Sequence, residues 1–212
     1  MEEILRLLEE HYPQVQTALH YRNTFELLLA VVLSAQTTDR QVNKITAELF
    51  PLLEEGPRAV LEMGQERLEK ALQSCGLYRQ KSRQIMKTCR LLLELYGGEV
   101  PNTREELMLL PGVGRKTANI LLSTAFHIPA FGVDTHVMRV SRRLGLAVGN
   151  NPRSIEDELC SSIPSVLWAE THHRLIAHGR SICRAQSPMC GKCFLTPNCV
   201  FYMDNQTEKR NI

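Results

Sequence analysis

Apolar residues recur at helical spacing along nearly the whole of this 212-residue chain, and the strict alternation of a half-buried strand is absent. Residues 3–11 predict a short amphipathic helix that ends near Pro13. Asn23 offers a capping oxygen ahead of Phe25 to Ala35, a run apolar nearly all round, which predicts a buried central helix. Shorter helices follow over 39–50, 57–63 and 65–74. From Lys81 to Tyr96, the residues Ile85, Met86, Cys89, Leu92 and Leu93 share one face, and Gly97-Gly98 ends the run. Asp134 caps a helix to Leu144, and Asn151-Pro152 starts another with proline at its first position. A last helix runs from about Val166 to Ser181. The fold class is all-α, with no internal repeat and no low-complexity linker.

One stretch organises the rest. Thr103-Arg104-Glu105-Glu106-Leu107 reads as a capping-box start for a short helix. Pro111 stops that helix, because it lacks an N–H and fixes its own φ. Gly112 and Gly114 then allow a tight turn, and Lys116 to Phe126 is a run of good helix formers. The product is helix, hairpin, helix over about residues 104–126. Backbone N–H groups of such a hairpin, together with the N-terminus of the second helix, suit a phosphate.

Lys116 sits in the first turn of that helix, where the helix dipole is already positive. Desolvation and a positive helix end both disfavour the ammonium. A neutral amine can form a Schiff base, whereas an ammonium can only contact phosphate, and the motif by itself admits both. Asp134 lies 18 residues further on, in Phe131-Gly132-Val133-Asp134-Thr135-His136. A carboxylate there is favoured as an anion, and it serves equally as a plain helix cap.

Net charge is only +2, so composition does not call for nucleic acid. Its distribution says more. Pro111 to Arg143 holds five basic residues against one acid, and Thr171 to Val200 holds four basic residues, three histidines and no acid. Basic charge gathers in the second half of the chain, as an electrostatic footprint does. The acidic N-terminus, Met1-Glu2-Glu3-Ile4, lacks a signal-peptide core, and the longest apolar run, Leu27 to Leu33, is too short to span a membrane.

Of seven cysteines, four crowd the tail as Cys183-x6-Cys190-x2-Cys193-x5-Cys199. An odd count with this crowding favours a reducing compartment and a metal centre over a disulfide framework. Four thiolates suit a structural zinc or a 4Fe–4S cluster, and the spacing leaves both open. Cys75, Cys89 and Cys160 lie on apolar faces as core thiols.

Gly112-Val113-Gly114-Arg115-Lys116, Val133-Asp134-Thr135-His136 and the cysteine tail closely resemble the endonuclease III family, bifunctional pyrimidine-lesion DNA glycosylases of the helix–hairpin–helix superfamily. The resemblance extends to Leu33-Ser34-Ala35-Gln36-Thr37-Thr38-Asp39 and Gly76-Leu77-Tyr78, and covers nearly the whole chain. It moves the tail from zinc to a 4Fe–4S cluster held by Cys183, Cys190, Cys193 and Cys199. It implies two domains with the DNA cleft between them: a six-helix domain over 18–128, and a cluster domain of 1–17 with 129–212.

By the same resemblance Lys116 is the nucleophile and Asp134 the carboxylate that assists it. Gln36 and Leu77 fill the gap left by a flipped-out base. Lys81, the amides of Gly112 and Gly114, Arg184 and Lys192 hold DNA phosphates. The implied activity is removal of oxidised pyrimidines from duplex DNA, with nicking of abasic sites by β-elimination. The implied protein is a monomer of bacterial or archaeal type, nucleoid-associated in the cytoplasm, with no membrane partner. The related adenine mismatch glycosylases usually lack a lysine at the position of Lys116. A non-catalytic DNA binder or a small electron carrier would need no Lys116–Asp134 pair.

Overall fold

The computed structural model describes residues 1–210, with side chains to residue 207. Its helices are α1 (Glu2–His11), α2 (Thr24–Ser34), α3 (Asp39–Leu49), α4 (Pro57–Ala71), α5 (Tyr78–Tyr96), α6 (Arg104–Leu109), α7 (Arg115–Ala125), α8 (Thr135–Leu144), α9 (Pro152–Ser162), α10 (Trp168–Ser181) and α11 (Val200–Arg210). Short 3-10 turns join some of them, and there is no strand among the described residues. The chain forms two compact units. One is Ala18–Ile128; the other joins Met1–Thr17 to the chain from Pro129 onward.

In the first unit α2 is the central element. Every residue from Phe25 to Leu33 is buried, so the helix has no solvent face, as its unbroken apolar run requires. Its one buried charge, Glu26, is held by Arg22, whose Nε and Nη2 donate to Oε1 at 2.8 and 2.6 Å. Asn23 caps the helix by accepting from Glu26 N at 2.9 Å. Helices α3 and α7 pack on α2, α4 packs along α5, and α6 lies against α7.

Gly64 breaks the run between 57 and 71, with φ +78°, where the sequence separates two shorter helices. Helix α5 starts at Tyr78, three residues before the apolar pattern does. The reason is Leu77, whose left-handed backbone turns its carbonyl to accept from the N–H groups of Gln80 and Lys81.

The second unit has its own core. Ile4 and Leu8 of α1 join Phe131, Val137, Val140, Leu144, Ile155, Leu159 and Leu175 in one buried cluster. Helix α8 packs against α9, α10 and α11. The last of these is not signalled by the sequence. Its run carries only Val200, Phe201, Tyr202 and Met203 as large apolar residues, all at its start, so no periodic face can be read along it. Phe201 and Tyr202 anchor that start against the cluster.

Candidate functional site

The hairpin between α6 and α7 is fastened from below and open above. Thr103 caps α6 by accepting from Glu106 N at 3.3 Å. Leu110 and Val113 are buried, and Val113 N closes the turn on Leu110 O at 3.0 Å. Thr88 of α5 donates to the Pro111 carbonyl at 3.0 Å, and Arg104 Nε donates to the buried Asn119 Oδ1 at 2.8 Å. Gly112 has φ +85°, a conformation that costs an L-residue roughly 1–2 kcal/mol. Gly114 is the N-cap of α7 and, having no side chain, makes no cap hydrogen bond of its own to the first N–H groups of that helix. Gly112, Gly114 and Lys116 are all exposed, so a phosphate and the Lys116 amine have access to the same short stretch.

Two more loops of this unit carry the expected base-gap residues. Gln36 and Leu77 both adopt left-handed backbone, with φ +55° and +60°. Neither is glycine, and such strain clusters at functional sites. Leu77 is 51% exposed, which removes it from the core. The two loops touch: a Cβ on Gly76 would sit 3.0 Å from the Gln36 carbonyl oxygen, and Gln41 Nε2 donates to Ser74 Oγ at 2.8 Å.

Lys81 is not a phosphate ligand. It is 3% exposed, and its ammonium donates to Leu33 O at 2.8 Å, Thr37 Oγ1 at 3.0 Å and Cys75 Sγ at 3.1 Å. A lysine has three donors, all used here inside the unit. The sequence holds only a partial signal, with none of these partners. Lys81 precedes Ile85 by four residues and therefore shares the apolar face of α5.

In the other unit Asp134 is half-buried as the N-cap of α8, accepting from Val137 N at 2.8 Å. The segment before it is rigid, because Phe131 is buried and His172 Nδ1 bonds the Gly132 carbonyl at 2.6 Å. Arg184 and Lys192 are exposed.

None of the seven cysteines is in a disulfide. Cys183, Cys190, Cys193 and Cys199 line one small cavity with Leu144 and His178. Among the described residues no three His, Cys, Asp or Glu side chains converge as a lone metal ion requires. Burial pushes the Cys193 and Cys199 thiols up, and charge on the neighbouring thiols adds to the effect. Four thiolates in so small a space need positive charge among them.

Burial holds His178 neutral, its pKa lowered to about 4, with Nε2 3.6 Å from Cys193 Sγ. Arg143, which sequence reasoning passed over, donates to the carbonyls of Arg184 and Ala185 at 2.7 and 3.1 Å and so fixes the first cysteine loop.

The HhH-GPD superfamily of base excision DNA repair proteins matches residues 29–165. The endonuclease III of Escherichia coli (strain K12) is 47% identical over 199 residues, 94% of each chain. The chain belongs to the endonuclease III family of that superfamily. The endonuclease III of Bacillus subtilis (strain 168) is also 47% identical, over 89% of this chain and 86% of its own. A solved endonuclease III, trapped as a covalent intermediate with DNA in an estranged-adenine complex, superposes with a TM-score of 0.91 at 46% identity, covering 97% of this chain and 96% of its own. Among the described residues no helix is long and apolar enough to cross a membrane.

Proposed function

We propose that this protein is a base excision repair glycosylase with abasic-site lyase activity, acting on oxidised pyrimidines in duplex DNA. One observation carries the reading: an exposed lysine, Lys116, in the first turn of α7 directly beyond an open, phosphate-suited hairpin. Family membership and the relative trapped covalently on DNA support it.

In this reading the Lys116 amine, as the free base, attacks the anomeric carbon of the damaged nucleotide. The glycosidic C–N bond breaks and the base leaves with the bonding pair, taking up a proton. The nitrogen gives up one proton, the ring bond from the anomeric carbon to the sugar oxygen breaks with that oxygen taking up a proton, and the protonated imine so formed acidifies the adjacent sugar hydrogen. Loss of that hydrogen expels the 3′ phosphate by β-elimination, and water later releases Lys116. Asp134 serves the first step with its negative charge, as proton acceptor or as partner to the cationic sugar. Gln36 presents donor and acceptor to the orphaned base, and exposed Leu77 is an apolar wedge. The amides of Gly112 and Gly114, with Arg184 and Lys192, contact phosphates.

Cys183, Cys190, Cys193 and Cys199 would hold a 4Fe–4S cluster, whose iron–thiolate bonds cross-link the tail. All four cysteines line one cavity, yet among the described residues no three ligands converge as for a lone ion, which favours a cluster over one tetrahedral zinc. Its place in this reading is the cytoplasm, with the nucleoid, and the lack of disulfides among its cysteines supports that. Borohydride trapping on abasic-site DNA tests the reading.

A further inference from the structure

We propose that Lys81 is a positioning residue, whose buried ammonium clamps together the two loops that present Gln36 and Leu77. The inference rests on the roles proposed above for those two residues. Leu33 and Thr37 flank the Gln36 turn, and Cys75 lies two residues before Leu77, so the three donors of one lysine reach both loops. Thr37 Oγ1 and Cys75 Sγ lie 3.3 Å apart and close the triangle between the loops. Gly76 allows the approach, since any Cβ there would press on the Gln36 carbonyl oxygen.

The three acceptors of Lys81 are neutral: a carbonyl, a hydroxyl and a thiol. An ammonium buried among neutral acceptors is an expensive way to fill a core position, where an apolar side chain would suffice. What it supplies is direction. Three short bonds from one atom fix the last turn of α2 and one point on each loop. Both loops hold a left-handed non-glycine residue at the tip, and such conformations persist only when the surroundings over-determine them. The clamp thus settles the order of both loops during folding, leaving less to be lost when a duplex is opened.

The test uses the full-length, iron-loaded protein and two substrates: a duplex carrying one oxidised pyrimidine, and a single-stranded oligonucleotide carrying an abasic site. Lys81→Met keeps the length and removes all three donors. Duplex turnover should fall by about tenfold or more, since tenfold is the size of one modest interaction lost. Single-strand nicking should stay within about twofold, below the effect of one such interaction.

Leu77→Gly should show the same selectivity, and the double variant should be no worse than the poorer single one, because coupled residues do not add. Should Lys81→Met unfold, Thr37→Val and Cys75→Ala each remove one acceptor, and both should show the selectivity in smaller measure.

An equal loss on both substrates, unchanged duplex turnover, or additive losses with Leu77→Gly would overturn the clamp. A normal Leu77→Gly would instead remove the role of Leu77, and the clamp with it. A defective Leu77→Gly beside a normal Lys81→Met would remove the clamp alone.

Discussion

Gln84 of α5 lies directly beneath Gly112: a Cβ built on that glycine would come within 3.1 Å of the Gln84 Oε1. With φ +85° at the same residue, the hairpin tip tolerates no side chain without strain. Gly114 differs, since its φ is −91° and nothing lies within 4 Å of a Cβ there.

Gly112→Ala should therefore destabilise the protein by roughly 1–2 kcal/mol, the cost of a left-handed L-residue. That corresponds to several degrees in Tm at about 2–4 °C per kcal/mol for a chain of this size. Gly114→Ala should leave Tm within about a degree, as a substitution that strains nothing does. Calorimetry on the two variants checks this, and equal Tm values would contradict the strain assigned to Gly112.

The protein purified without oxygen should contain roughly four irons per chain, as one 4Fe–4S cluster requires. Cys199→Ser should lose that iron, whereas Cys160→Ser, outside the shared cavity, should keep it. Metal analysis decides. Zinc in the wild-type preparation, or iron retained by Cys199→Ser, would remove the cluster from the account.

Arg184 and Lys192 are exposed within the cysteine loops, and Arg143 holds the backbone beneath Arg184. Arg184→Ala and Lys192→Ala should each weaken binding to damaged and undamaged duplex alike. Each should also make the log–log salt dependence shallower by roughly 0.9, the share of one phosphate. A loss confined to damaged duplex would mean that these side chains read the lesion.

Asp134→Asn keeps the oxygen that accepts from Val137 N and removes only the charge. Base release should slow by about 10²–10⁴, the usual contribution of a positioned acid or base, while Tm and duplex binding hold. Asp134→Ala should lose the cap as well, and about 1 kcal/mol of stability with it. Stopped reactions and thermal melts separate the two effects. Base release by Asp134→Asn at the wild-type rate would reduce Asp134 to a cap.

Much of this was legible in the sequence, because helices declare themselves locally. The caps at Asn23, Thr103 and Asp134 each need only a side chain and an N–H three residues on. The wholly apolar α2 could only be buried, and Pro111 and Gly112 could only be a turn. The hairpin and the cysteine tail are likewise contiguous motifs. What escaped depends on partners distant in sequence. Lys81 reads as a DNA-facing cation until Leu33, Thr37 and Cys75 are brought around it. Helix α11 has almost no periodic face and exists because Phe201 and Tyr202 find the cluster of the second unit. The left-handed turns at Gln36 and Leu77 are likewise invisible in residues that do not ordinarily adopt them.

The central claim is that the Lys116 amine is the nucleophile. Borohydride added during reaction with abasic-site DNA should reduce the imine and leave a stable protein–DNA adduct. Lys116→Gln retains length and hydrogen bonding but has no nucleophilic amine, so adduct and incision should both vanish while duplex binding survives. An adduct formed by Lys116→Gln at the wild-type rate would contradict the account, because another amine would then be doing the chemistry.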